Sequence, residues 1–515
     1  MINESLSMNE SFLKNKIGNS FDTEYRHFRV AAFDDAEAFI VYIDGMIDAR
    51  VVEESILGPL MQYTGLQDRT MQRGTKCISV LSERKAQRRR TDSISILMEH
   101  GVFTTAVTVT GRWEEICDAI IEGNTALFMD QCSSALILNT RKYEGRPVNE
   151  PQVESEIKGP RDGFVENIQT NAALIRRRIK DYGLRFDTVR IGERTKTMVS
   201  VAYINSLADD ALVKEVKERL AKIKVDAIIA SEYIEELIED SPYSIFPTIQ
   251  SSERPDKVCA ALLEGRVVVL VDNTPFILII PAVFWQFLES SGDYYDRFYM
   301  ASFNRWLRFL AQYLSISASS LYVLLTSFHQ EMLPTTLALK IAAGRNGVPF
   351  PAVIEAFVME IILEIMKEAG LRMPKAFGQT VGIVGPLVIG QAAVSAGLVS
   401  PLLIIVVAVA AISTFAIPAH SMNNSLRVIR FPILFMTALF GLLGYLASIV
   451  ILLLHLMSLR SFGTPYFAPI IPLDSHDLKD VLIRTPWQKM TNRPGFVRPK
   501  DKKRQVTNMK PPSKS

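Results

Sequence analysis

The residues with the clearest chemical potential lie in an uncharged run between Lys375 and Arg427. Within it Val381, Val384, Val388, Gln391 and Ser395 advance by 3, 4, 3 and 4 residues, so they share one side of a helix. A ring of valines can close a channel by expelling water, and an amide and a hydroxyl on the same side would wet the path beside it. A second stripe, Gly378, Gly382 and Gly385 followed by Ala392 and Ala396, lets helix backbones approach closely in lipid. The expectation is a helix packed inside a bundle, with a gate on its valine side. The competing reading makes both stripes ordinary packing faces.

Glu360, Glu364 and Glu368 recur at four-residue spacing in VIEAFVMEIILEIMKEA (353–369). Three aligned carboxylates are costly in hydrocarbon, so the stretch reads as an amphipathic re-entrant or interfacial helix. Its acids would then form a vestibule that attracts cations. No catalytic constellation accompanies these residues: Walker A, dinucleotide-binding, HExxH and nucleophile-elbow patterns are all missing from the sequence. Cys77, Cys117, Cys132 and Cys259 show no CxxC spacing and no Cys/His cluster, which predicts reduced, buried thiols. The sequence thus predicts no enzyme, no metal and no other cofactor. The basic run ERKAQRRR (83–90) reads as a solvated loop, so nucleic acid is not an expected partner. Turn dipeptides in GPRDGF (159–164), near Arg176, Arg177 and Arg178, could nest an anion. A charged connector pairing Glu154, Glu156 and Glu166 with those arginines is the favoured alternative.

The elements that must position these residues follow from where the apolarity sits. The chain has 515 residues, 48% of them hydrophobic, and a net charge of +2, which selects no particular partner. Nearly all the long apolar runs lie beyond residue 300. The fold class expected is an α/β soluble N-terminal half, built of two related α/β subdomains, followed by an α-helical polytopic membrane domain. Uncharged runs at 309–330, 376–426 and 431–459 supply about four spans, the middle run being broken at Pro401. Arg297, Arg305 and Arg308 place the start of the first span inside. Four spans bring the C-terminus back to that side but put Arg427 and Arg430 on the other, against the same rule.

The soluble half repeats itself. CDAIIEGNTALFMDQCSSALIL (117–138) aligns with CAALLEGRVVVLVDNTPFILII (259–280), matching Cys117 with Cys259, Gly123 with Gly265 and Asp130 with Asp272. A period this long signals duplication of a domain, not a solenoid. The organisation expected is therefore a disordered segment over 1–25, a first cytoplasmic α/β subdomain over 26–145 and a charged connector over 146–184. A second subdomain over 185–297, a transmembrane domain over 298–460 and a basic, Pro-rich cytoplasmic tail over 461–515 complete it.

Six stretches resemble the A subunit of the GerA-type spore germinant receptors: GPRDGFVENIQTNAALIRRRIK (159–180), FHQEMLPTTL (328–337), VPFPAVIEAF (348–357), EAGLRMP (368–374), VGPLVIGQAAVSAGLVSP (384–401) and SFGTPYFAP (461–469). The resemblance runs from about residue 20 to 495. It implies a multi-pass subunit of the inner spore membrane with both termini on the cytoplasmic, or core, side. It implies a transporter-like B subunit and a lipoprotein C subunit as partners, membrane lipid around the helices, and a homo-oligomer, expected as a pentameric ring. Nutrient sensing would open a ligand-gated cation channel and trigger germination. Pro386 departs from the family pattern, which more often has a small residue there. The alternatives are a secondary transporter, or a membrane-anchored scaffold subunit without a pore.

Overall fold

Short apolar runs in the first half pair into two five-stranded sheets, and helices form the second half. The computed structural model describes residues 2–31, 36–62, 106–141, 150–372 other than 152, 153, 155 and 157, then 388–474 and 476–505. Strands β1 (Thr23–Val30), β2 (Ala36–Ile43), β3 (Val107–Thr110), β4 (Thr125–Met129) and β5 (Ala135–Leu138) take the order β1-β2-β4-β5-β3. Strands β6 (Leu184–Ile191), β7 (Thr197–Ile204), β8 (Gln250–Ser252), β9 (Val267–Val271) and β10 (Ile277–Ile280) take the order β6-β7-β9-β10-β8. The topology is the same, and every pairing is antiparallel. The central strands TALFM and VVVLV are buried at every residue because helices cover both faces.

The helices over the sheets include α1 (Leu6–Lys16), a helical stretch over 51–62, α2 (Trp113–Ile121), α3 (Ile168–Arg178), α4 (Asp210–Lys222), α5 (Ser231–Ile238) and α6 (Pro255–Leu263). The sequence caps several of them: the Asn167 side chain accepts from the amides of Gln169 and Thr170, Asp209 accepts from Ala211, and Pro255 opens α6. α2, β4 and β5 recur as α6, β9 and β10, each 142 residues on, the separation of Cys117 from Cys259. Gly123 and Gly265 both follow their helix in the left-handed region, at φ 90° and 94°. The Asp130 amide donates to Glu37 O, and the Asp272 amide donates to Met198 O, each at the second residue of the neighbouring strand. Cys117, Cys132 and Cys259 are buried and unbridged, and burial pushes the Cys117 thiol up to about 11. Cys77 and the basic run 83–90 lie outside the described residues.

Two expectations for this half need correction. Residues 1–25 were expected to be disordered, yet they hold α1 and the start of β1, with Leu13 and Ile17 fully buried against the first sheet. Leu6, Leu13 and Ile17 are too sparse to give a periodic signal alone; the sheet supplies the partner surface. The connector pairs differently as well. Arg176 forms a buried bidentate pair with Asp22, Arg178 pairs with Asp162, and Glu154 pairs with Lys257. Glu156 accepts from Gly292 N and Ser290 Oγ, so this acid of the connector serves the segment that follows β10.

The helical half contains α7 (Phe298–Val323, helical onward to Phe328), α8 (Thr335–Arg345), α9 (Ala352–Arg372), α10 (Pro401–Phe415) and α11 (His420–Ser458). Among the described residues, Phe298–Phe328 and His420–Ser458 are long and apolar enough to cross a membrane, and Pro401–Phe415 is a shorter apolar helix. α11 is a helical hairpin. Gly441 sits at φ 56°, ψ −131°, where a Cβ would lie 3.0 Å from the Phe328 ring. Both legs return to one place: Ser425 Oγ donates to Ile245 O at 2.6 Å, and His455 Nε2 lies 3.0 Å from Ser244 Oγ. The tail then packs on the second sheet unit. Ser461 Oγ bridges Ala282 N and Thr248 O, Phe462 joins the core, and Lys500 pairs with Asp210 at 2.7 Å.

Candidate functional site: a charged interior in the helical half

α9 has its polarity turned inside out. Ile354, Val358, Ile361 and Ile365 are exposed along one side, whereas Glu355 and Glu360 are fully buried on the other. Arg430 Nη1, 1% exposed, donates to Glu360 Oε2 at 2.6 Å, and Ser319 Oγ of α7 donates to Glu360 Oε1. One turn on, Arg427 Nε donates to Glu364 Oε2 at 2.8 Å. Carboxylates four apart on α9 thus meet arginines three apart on α11, so the two helices run antiparallel. Glu355 accepts from Ser400 N at 3.0 Å and lies 3.3 Å from Arg345. Ser400 also contacts Tyr322 through their hydroxyls at 2.8 Å, tying the start of α10 to the end of α7.

This arrangement corrects the expected re-entrant helix and its acidic vestibule. An interfacial helix shows its charges to water; α9 hides two of its acids among α7, α10 and α11 and presents isoleucine and valine outward. Glu360 and Glu364 are held in ion pairs, and of the three acids Glu368 alone is exposed, bonded to Arg372 on its own helix. The arginines that seemed misplaced, Arg427 and Arg430, are the partners. A buried ion pair survives only when geometry and further hydrogen bonds offset desolvation, and Ser319 supplies one such bond. Glu355 and Arg345 were missed because Glu355 lies outside the aligned triplet.

Of the gate stripe, Val388, Gln391 and Ser395 are described, on a helical segment over 388–395, and all three are exposed. Gly390 in that segment faces Ile404 of α10, where a Cβ would sit 3.5 Å from the side chain. Gly378, Val381, Gly382, Val384, Gly385 and Pro386 lie outside the described residues. Residues 388–396 thus have a packed side, with Gly390, Ala393 and Val394, and an open side that carries Val388, Gln391 and Ser395 together with Ile389, Ala392 and Ala396, so the two alanines expected on the packing stripe are exposed.

A second charged cluster joins the two halves. Asp293 is buried and accepts from Arg305 Nε at 3.2 Å and from both terminal nitrogens of Arg308 at 2.7 and 2.8 Å. Arg305 Nη1 also donates to Asp480 Oδ1 at 3.0 Å, and Asp480 Oδ2 accepts from the Tyr294 hydroxyl at 2.8 Å. Arginines read from the sequence as a membrane-flanking charge thus clamp the root of α7 to the segment before it and to the tail. Nearby, burial pushes the Glu289 carboxyl up to about 8, with Arg305 drawing it the other way.

Paired antiparallel sheets with covering helices, joined to a bundle with charge inside and apolar side chains outside, define a two-part protein whose helical half is consistent with membrane association. The family model described as Bacillus/Clostridium GerA spore germination protein matches residues 11–496, and the chain belongs to that family. The family gives it a role in spore germination and is not a known class of enzyme. The chain is 41% identical over 511 residues to spore germination protein KA of Bacillus subtilis (strain 168), spanning 99% of this chain and 90% of that protein. It is 42% identical over 457 residues to uncharacterized membrane protein YfkQ of the same strain, spanning 89% of this chain and 85% of that one. The crystal structure of the N-terminal domain of the A subunit of the Bacillus megaterium spore germinant receptor GerK3 matches with 32% identity and a TM-score of 0.40, covering 55% of this chain and 97% of that chain.

Proposed function

We propose that this chain is the membrane subunit of a nutrient-germinant receptor and forms a ligand-gated ion channel as a homo-oligomeric ring, pentameric, in the inner spore membrane. Residues 378–395 line the pore, with Val381, Val384 and Val388 as the gate and Gln391 and Ser395 wetting the path beside it. The transporter-like B subunit and the lipoprotein C subunit complete the receptor. One observation carries the reading: in a bundle that shows apolar side chains to its surroundings, the 388–395 segment exposes an amide and a hydroxyl beside Val388, which is 56% exposed. Lipid is a poor solvent for that side; a water-filled lumen between copies suits it. Any cation preference then rests on Glu368 and not on the paired Glu360 and Glu364.

In this reading the passes through the membrane are counted from the helices and their contacts. α7, α10 and the two legs of α11 make four. α9 starts beside Ser400 and passes Arg430 and then Arg427, running back toward the soluble half, so it and the arm after it add a pair. The number stays even, and the tail's contacts with the second sheet unit support a topology with both termini on one side. Two duplicated α/β subdomains, about 26–145 and 185–297, face the core.

The test is Val384→Ala measured in spores, as ion release beside protein level. Leak or nutrient-independent germination at normal abundance is expected, because each copy in the ring widens the gate once. Normal closure at normal abundance would remove the gate from this arm. A second reading, a secondary transporter, is favoured by the buried Glu360–Arg430 pair, since ionisable groups inside a bundle mark coupled pathways. It predicts substrate-dependent uptake in vesicles that needs Glu360.

A further inference from the structure

Where the second leg of α11 ends, the tail, the start of α4 and the residues after α5 border an open cavity of about 630 Å³. Ser458, the last residue of α11, stands in its wall, and Arg460 follows as the first residue of a short hairpin. The second strand of that hairpin, 464–465, packs against 495–497, which brings Arg498 into the same wall. Three arginines therefore line this space, and they differ in what they hold. Arg219 is engaged: it donates to Glu215 at 2.8 Å and to Asp240 at 2.6 Å, and its guanidinium lies 4.2 Å over the Phe462 ring. The lining acids are engaged too, Glu215 and Asp240 by Arg219, and Asp209 by the Ala211 amide in the first turn of α4. Arg460 and Arg498 are exposed, and their side chains take no ion pair or hydrogen bond among the described residues. Arg498 stands in the left-handed region, at φ 55°, where a glycine would cost less, so the backbone is not what asks for an arginine. The uncommitted charge of the cavity is thus wholly positive.

Leu446, Val450 and Leu454 recur every four residues on an exposed side of α11 and lead along it to Ser458. An apolar track that ends at two free guanidiniums matches an amphiphile with an anionic head. We propose that this cavity binds the phosphate of an anionic phospholipid, whose oxygens accept from Arg460 and Arg498 while an acyl chain lies along Leu454, Val450 and Leu446. Guanidinium forks suit phosphate oxygens, and basic pockets where spanning helices leave the membrane are usual headgroup sites. The lipid touches the foot of α11, the tail and α4 at once, so it fastens the second sheet unit to the helical half. The site rests on the membrane reading of α11 and needs no pore.

The experiment uses the full chain in a nonionic detergent, with the melting midpoint followed as dioleoyl phosphatidylglycerol, dioleoyl phosphatidylcholine or inorganic phosphate is added. Recovery of the chain in the membrane fraction tests the reading of α11 separately. A saturable rise with phosphatidylglycerol, at lower concentration than with phosphatidylcholine, is expected. An arginine beside an anionic lipid is worth about fivefold in affinity, so Arg460→Gln and Arg498→Gln should each raise half-saturation about fivefold and the double variant about twenty-fivefold. Arg460→Lys should keep most of the response, and Lys222→Gln, an exposed cation at the far end of α4, should keep all of it. Lipid-free midpoints should not move, since neither arginine holds another residue. If Arg498→Gln does not fold, Arg498→Gly, which suits the left-handed backbone, takes its place. An arginine-dependent rise with inorganic phosphate, half-saturated no later than with lipid, would assign the site to a soluble phosphate compound and keep it. No saturable response to any of the three, equal responses to the two lipids, or the same response to phosphatidylglycerol from the wild type and the double variant would overturn it.

Discussion

Glu360→Gln tests whether the charged interior holds the helical half together or lines a conducting path. Glu360 and Arg430 are 0% and 1% exposed and lie 2.6 Å apart. Removing one partner of a buried pair costs about 3–5 kcal/mol, because the other charge stays behind uncompensated. Arg430 has little else to bond: its Nε and Nη2 have no partner among the described residues. At about 4 kcal/mol, against a total stability of about 5–15 kcal/mol, the ratio of folded to unfolded chain falls roughly a thousandfold. The assay is the amount of full-length chain in the membrane fraction, with the melting midpoint of the purified chain in detergent. Both should drop for Glu360→Gln and for Arg430→Met. The double variant Glu360→Met with Arg430→Met should recover most of the loss, since apolar residues of similar volume replace such pairs at little cost. A coupling of about 3 kcal/mol is expected from the cycle. Normal abundance and midpoint for Glu360→Gln, together with changed ion selectivity, would refute the argument and return this carboxylate to the pore.

Gly441→Ala should lower abundance, because the left-handed backbone at the hairpin costs a side chain about 1–3 kcal/mol and the added carbon meets Phe328 at 3.0 Å. Adding Phe328→Ala should recover only the steric part, read as melting midpoint. A cysteine at Lys502, in the exposed tail, should resist an impermeant thiol reagent in right-side-out membranes and react in inverted ones; labelling in the former would break the even count of passes. Burial first, then Glu239 and Glu232, hold the Glu235 carboxyl up at about 7. Its folded-state value lies above its unfolded one, so its stabilising contribution is complete below about pH 4 and is lost as pH rises through about 7. The melting midpoint should therefore fall between about pH 5 and about pH 8, and Glu235→Gln should flatten that fall.

What the sequence disclosed depended on how far apart the interacting residues lie. The repeat was readable because its information is local: a helix, a glycine that must turn left-handed, a buried strand and a turn, written twice with Cys117 and Cys259 in register. The order of the strands was not, since β3 and β8 join their sheets through contacts that leave no periodic trace. α1 was missed for the same reason, Leu6, Leu13 and the Ile17 that follows it being a weak pattern until a sheet is set beneath them. The break at Pro401 was visible because proline acts on its own neighbour. The turn at Gly441 was not, because a glycine inside FGLLGYLAS looks like an ordinary packing residue until the two legs are seen to meet the same loop.

The charged ladder shows where local reasoning about membranes fails. Taken singly, Glu360 and Glu364 are too costly for hydrocarbon, and Arg427 and Arg430 lie on the wrong side; each fact argues against burial. Taken together they cancel, because an antiparallel contact brings carboxylates four apart opposite arginines three apart. The clue was in the sequence as two unexplained anomalies of opposite sign, separated by 63 and 70 residues. Their pairing also reallocates function. Acids spent on holding α9 to α11 do not attract ions, so the proposed pore would draw its gate from the 378–395 arm and its charge from Glu368. That arm joins the end of α9 to the start of α10, beside Glu355 and Tyr322, so a shift of the ladder would reach the arm through both of its ends. In the proposed channel the ion pairs set the position of the gate, and the arm forms it.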